Sequence, residues 1–174
     1  MNTIETGNIK AVLDRNAKAL EMRPSIGRMT ASTRVALTDG LACEVEEGAW
    51  KLRVDMSPKS GGEGTAPNPG IYGRASLGSC LAIGYAMLAA RREIPIDALE
   101  VSVETDMDAA YEYGMKGRNR GYEQVRCSVR IESSAPEADV RRMIDDANEA
   151  SSFLNVWQQA QDLRLDVRVN GIGR

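Results

Sequence analysis

The chain has 174 residues, with 22 Lys and Arg against 25 Asp and Glu and a formal net charge of -3. So even a balance carries no electrostatic footprint for nucleic acid, and the length suits one domain that buries about two thirds of its unfolded surface. There is no histidine, which excludes Ser-His-Asp and Cys-His pairs and removes the commonest zinc ligand.

Residues 8–22 are predicted to form an amphipathic helix. Asn8 can cap it, Ile9, Val12, Leu13, Ala17 and Leu20 recur at helical spacing, and Pro24 stops it. Its opening mixes charges of both signs with no apolar run, so no signal peptide is expected. Residues 27–56 read as three alternating strands, broken at Thr38-Asp39-Gly40 and at Glu47-Gly48. SPKSGGEGTAP is expected to be a flexible connector. Asn68 and Pro69 then supply the cap and first turn of a long helix ending near Arg92.

Two strand candidates follow Ile94-Pro95: LEVSVETDMD and YEQVRCSVRIES. The loop between them carries Lys116, Arg118 and Arg120 beside Tyr111, Tyr113 and Tyr122. It reads as a solvated hairpin tip rather than a stacking platform for RNA. Ser134-Ala135-Pro136-Glu137 matches a capping box, and the helix behind it should bury Val140, Met143, Ile144 and Ala147. Four residues further, the same stripe reaches Ser151. LRLDVRVN closes the chain as an alternating strand, which completes an α+β pattern rather than strict βα alternation.

The segment from Ala75 to Ala90 has no charge, and it falls short of the ~18–20 apolar residues of a membrane span. A helix uncharged all round is expected to be buried all round. Each interior glycine costs about 1 kcal/mol against alanine, so Gly78 and Gly84 imply close packing, and Gly84→Leu should overpack the core. One thin sheet cannot cover such a helix on every side, whereas a second copy of the chain would. A homodimer is the expected state, with these helices near its centre. Three scattered cysteines, Cys43, Cys80 and Cys127, fit a reducing compartment, and the expected localisation is cytoplasmic. No cofactor, nucleic acid or membrane is expected as a partner.

The order GG, PNP and SLGSCL, then a strand ending in DMD, a strand opened by GY, ESSAPE before a helix and a closing strand, resembles the OsmC/Ohr family. These are the osmotically inducible protein C and organic hydroperoxide resistance proteins, and the likeness runs over roughly residues 27–170. Residues 1–26 are then an N-terminal helical extension and residues 27–174 a single OsmC-like domain. The resemblance implies an OsmC-like α+β fold, with antiparallel-rich sheets around long central helices in an intertwined homodimer. It also implies a thiol-dependent peroxidase that reduces organic hydroperoxides. Cys80 matches the reacting cysteine. Ser151 stands where the family has its second cysteine, and Gly70 stands where PNP is followed by glutamate in the family. The arginine over the thiolate would come from the N-terminal strands, with Arg34 the leading candidate and Arg28 the alternative. Ser151, Tyr72 and Ser76 are the expected pocket lining.

From the residues alone, Cys80 is either a buried inert thiol or a reactive one, since reactivity needs a nearby cation or helix N-terminus. Arg74, six residues earlier, sits well round the helix from the thiol. Cys43 and Cys127 read as buried strand thiols, and Met87, Met107 and Met115 as core filler or an apolar lining. The expected reaction oxidises Cys80 to a sulfenic acid, which an external thiol or dithiol must reduce because Ser151 cannot. The alternative is a non-catalytic binding module for a small hydrophobic ligand. A third reading is a scaffold that uses the N-terminal helix.

Overall fold

The computed structural model describes residues 7–117, 121–169 and 172–173. Helix α1, Gly7–Met22, opens the chain, and a short 3-10 turn at Pro24–Gly27 folds back onto it. Strands β1 (Arg34–Asp39), β2 (Ala42–Glu47) and β3 (Trp50–Val54) form an antiparallel sheet in chain order. Both turns fall at the predicted breaks. Gly40 and Gly48 hold φ of 50° and 56° there, a region glycine enters without steric cost.

The Gly-rich stretch is pinned, not flexible. Asp55 is buried and accepts hydrogen bonds from the Thr65 amide at 2.9 Å and the Thr65 hydroxyl at 2.8 Å. The amides of Gly62 and Gly64 donate to the carbonyls of Ser57 and Met56. A Cβ on Gly62 would fall 2.1 Å from the Met56 carbonyl oxygen, so no other residue fits. Polar residues and glycines mark a loop in sequence, but a buried carboxylate that gathers several donors makes it rigid. Those bonds hold the Asp55 carboxyl below its ordinary range, the Thr65 amide contributing most.

Helix α2, Pro69–Arg92, starts as predicted. The Asn68 side chain accepts from the Ile71 amide at 3.0 Å, and Pro69 fills the first position, where no amide is needed. Arg91 and Arg92 occupy its last turn, favourable at the negative end of the helix dipole, and Glu93 closes it with φ 57°. Strands β4 (Ala98–Met107) and β5 (Tyr122–Glu132) pair antiparallel. Leu99, Val101 and Val103 of β4 stand opposite Ile131, Val129 and Cys127 of β5 on the face toward α2. Glu104 and Arg126 pair at 3.3 Å on the other face. Arg118 and Arg120 of the predicted hairpin tip lie outside the described residues.

Helix α3, Glu137–Glu149, buries Val140 and Met143 as its stripe predicted, but the capping box does not form. Pro136 takes the cap position, and the Ser133 hydroxyl, not that of Ser134, accepts from the Ala135 amide at 3.1 Å. α3 also stops short of Ser151, which instead caps a separate helix, α4 (Ser152–Gln158), by accepting from the Leu154 amide at 3.1 Å. Of the described residues of the closing strand, only Arg168–Val169 pairs, with Ile172–Gly173, as β6 and β7. Leu163, Leu165 and Val167 before it are exposed.

The core gathers Leu77, Leu81, Tyr85 and Ala89 of α2 with Ile96, Val140 and Met143. α2 packs against α1, β4, α3 and α4. It is not buried all round within one chain: Ile71 is 45% exposed, Ile83 60% and Met87 39%. No helix among the described residues is long and apolar enough to cross a membrane.

Candidate functional site

A cleft of about 600 Å³ opens along the uncovered side of α2. Its floor is Ser76, Cys80, Gly84, Met87 and Arg91, residues that share one helix face because they recur at intervals of three or four. Leu13 of α1 forms one wall, while Ser151 at the cap of α4 and Phe153 in its first turn form another. Cys80 is half-buried there and free. Cys80, Ser76 and Ser151 thus line one cleft.

Ser151 reaches the cleft by a different route from the one its spacing suggested. The stripe of α3 breaks at Ala150, and the turn into α4 swings Ser151 onto the cleft. Its hydroxyl accepts from the Leu154 amide, so the side chain already has a structural task.

Tyr72 is not among the cleft residues. Its hydroxyl donates to the Arg53 carbonyl at 2.8 Å and ties α2 to β3, a contact between distant segments that sequence spacing cannot reveal. Arg34 does not line the cleft of its own chain either. It is exposed on β1 and pairs with Glu46 at 3.3 Å. Lys51, at 3.1 Å from the same carboxylate, is the main cause of the depressed Glu46 pKa, with Arg34 adding to it. Arg28 also lies outside the cleft. Gly84 is not a packing glycine: a Cβ built there would have no heavy atom within 4 Å. Gly78 is one, since its Cβ would meet Val103 Cγ2 at 3.3 Å.

The other thiols stand elsewhere. Cys43 is half-buried on β2, opposite Leu37 and Val54. Cys127 is exposed on β5, yet desolvation of its sulfur pushes its pKa up, which keeps it a thiol. It also raises the pKa of Tyr85, whose own burial is the larger cause. Tyr85 lies about 140° round the helix from Cys80, so Cys127 faces a different side of α2. Sequence reasoning missed Leu13, Phe153 and Arg91 as cleft residues. The interval from Cys80 through Gly84 and Met87 to Arg91 was a legible signal for the last.

The family model described as OsmC-like protein matches residues 62–166, more than half of the chain. No curated protein matches it. Among solved structures, the OsmC-like protein from Mycoplasma pneumoniae superposes with TM-score 0.65 at 15% identity, covering 75% of this chain and 88% of that one. An organic hydroperoxide resistance protein from Legionella pneumophila gives 0.55 at 20% identity, covering 73% and 88%. One from Elizabethkingia anophelis gives 0.55 at 15%, covering 74% and 87%. At such identities these structures speak for the fold, and the fold agrees with the family match. The chain belongs to the OsmC-like family.

Proposed function

We propose that the protein is a thiol-dependent reductase of organic hydroperoxides in which Cys80 is the reacting group. The observation that carries this reading is the placement of Cys80 on the floor of a cleft with mostly apolar walls. A thiol meant only for packing would face the core, as the adjacent Leu81 does. The Cys80 thiolate attacks the outer peroxide oxygen, the O–O bond breaks, and the alkoxide leaves as an alcohol after taking a proton. Cys80 becomes a sulfenic acid. Ser151 supplies no second sulfur, so an external dithiol reduces it, releasing water and a disulfide of the reductant.

The same reading includes a cytoplasmic homodimer, residues 1–26 as an extension and residues 27–174 as the OsmC-like domain. The open side of α2 supports the dimer, because Ile71 and Ile83 of that helix stay exposed within one chain. A dimer also supplies a route for Arg34: lying outside the cleft of its own chain, it would serve the thiol of the partner. The competing reading, a binding module for a small hydrophobic ligand, is favoured by one observation. Arg91 is the single cation among the described cleft residues, and it lies about three turns from the thiol.

Consumption of cumene hydroperoxide with excess dithiothreitol separates the two readings. Turnover that Cys80→Ser abolishes and Cys127→Ser preserves is the expected result. Hydroperoxide binding without turnover would favour the module.

A further inference from the structure

Helix α1 has no share in the core. From Asn8 to Met22 none of its residues is buried, and Ile9, Val12, Leu13 and Ala17 are only half-covered where it lies against α2. A Cβ on Gly27 would fall 2.8 Å from Leu20 Cδ2, so α1 and the turn behind it move as one piece. Residues 28–33, all exposed and outside any helix or strand, tether that piece to β1. Two ion pairs fasten it to the end of α2. Lys10 Nζ meets Glu93 Oε1 at 2.7 Å, and Asp14 Oδ1 meets Arg91 Nε at 3.4 Å. Leu13, between them in sequence, forms a wall of the Cys80 cleft. Glu93 is also the one non-glycine residue with positive φ among the described residues, at 57°. Glycine usually closes a helix in that conformation, and a longer side chain enters it at a cost. What the carboxylate gains there is the bond to Lys10.

We propose that α1 is a lid at one end of the Cys80 cleft, held shut by these two ion pairs and released as salt screens them. Exposed ion pairs are individually weak, and the Debye length falls from about 10 Å at 0.1 M salt to about 3 Å at 1 M. With no buried side chain to hold it, α1 depends on them more than any core element does. Opening withdraws Leu13 from the cleft and bares the approach to Cys80, while the core on the other side of α2 stays packed. The lid grips α2 near Arg91 and leaves the exposed Ile71 and Ile83 to the partner copy proposed above. Resting on the reading of Cys80 as the reacting thiol, turnover then rises with salt. The lid itself does not require Cys80 to react.

Alkylation by iodoacetamide, followed at Cys80 by peptide mass spectrometry, reads the lid without peroxide. The Cys80 rate should rise about threefold between about 0.05 M and 1 M sodium chloride, after correction by a free cysteine peptide. Amide exchange over residues 7–22 should quicken in step, with α2 still protected. Glu93→Gln should bring the rate at low salt close to that of the parent at high salt. Glu93→Gly should do the same and yet raise the denaturant midpoint, because glycine takes the left-handed turn freely. A contact that served stability alone would lower the midpoint on removal. Cys80 labelling that ignores salt, or Glu93→Gly labelling at the slow parent rate, would overturn the proposal. If labelling follows salt while cumene hydroperoxide is not consumed, the peroxidase reading falls and the lid stands. Consumption with salt-independent labelling has the opposite meaning.

Discussion

The two larger sheets carry the same alternation and meet different fates. In β4–β5, Leu99, Val101 and Val103 are covered by α2, and Ile131 and Val129 join them against the core. In β1–β3, the register puts Val35, Val45 and Leu52 in one row and Leu37, Cys43 and Val54 in the next. That sheet stays open among the described residues, with Leu37 68% exposed and Trp50 76%. Contiguous apolar surface of this kind marks an interaction site. The apolar patterning of this sheet is thus written for a cover that the described residues do not supply. The open side of α2 and the exposed Leu163 and Leu165 point the same way.

If that cover is a second copy, the largest effect available is on assembly. Light scattering should give twice the 18.9 kDa of one chain, and Leu37→Asp combined with Trp50→Asp should shift it to a single chain. A folded monomer of the parent protein at micromolar concentration would leave the open sheet without its proposed cover. A smaller effect separates the covered and open sides of α2. Gly78→Leu should lower stability by about 1–3 kcal/mol through overpacking against Val103, measured as a shift in denaturant midpoint. Gly84→Leu should leave the midpoint near the parent value and narrow the cleft instead, slowing alkylation of Cys80.

Much of the fold was legible because its signals are local. Asn68-Pro69 started α2 by chemistry that needs no tertiary contact, and the glycines of both early turns did the same. The stripe of α3 was equally plain. Signals failed where distant groups decide the outcome. Asp55 turned an apparently flexible stretch into a fixed one, and Ser133 displaced Ser134 from a well-matched motif. Of the residues that the resemblance implied for the pocket, Ser76 and Ser151 line the cleft of Cys80, whereas the Tyr72 hydroxyl donates to the Arg53 carbonyl, a distant contact that spacing does not encode. An uncharged helix read as wholly buried, since composition does not distinguish a core face from a cleft floor.

Ser151→Cys joins the two kinds of evidence at one residue. The lost cap should cost about 1 kcal/mol, seen as a modest drop in melting temperature. Peroxide should then yield a disulfide between Cys80 and the introduced cysteine, found by non-reducing peptide mapping, where the parent is expected to go on to sulfinic acid. Recovery of sulfinic acid alone would place the two side chains out of reach of each other. The mildest effect concerns the pinned loop. The carboxyl of Asp55 is held below its ordinary value near 3.8, so its contribution is fully present above that pH and is lost as pH falls through the lower folded value. The parent should therefore lose stability below about pH 4 more steeply than Asp55→Asn, as read from denaturant midpoints at pH 3 and pH 6.

The proposed chemistry stands on Cys80, alone of three thiols, meeting hydroperoxide. The decisive experiment is treatment with one equivalent of cumene hydroperoxide in the presence of dimedone, followed by peptide mass spectrometry. Dimedone traps sulfenic acid as a stable thioether. The adduct is expected on Cys80, with Cys43 and Cys127 unmodified. An unmodified Cys80, or adducts spread evenly over the three cysteines, would contradict that role.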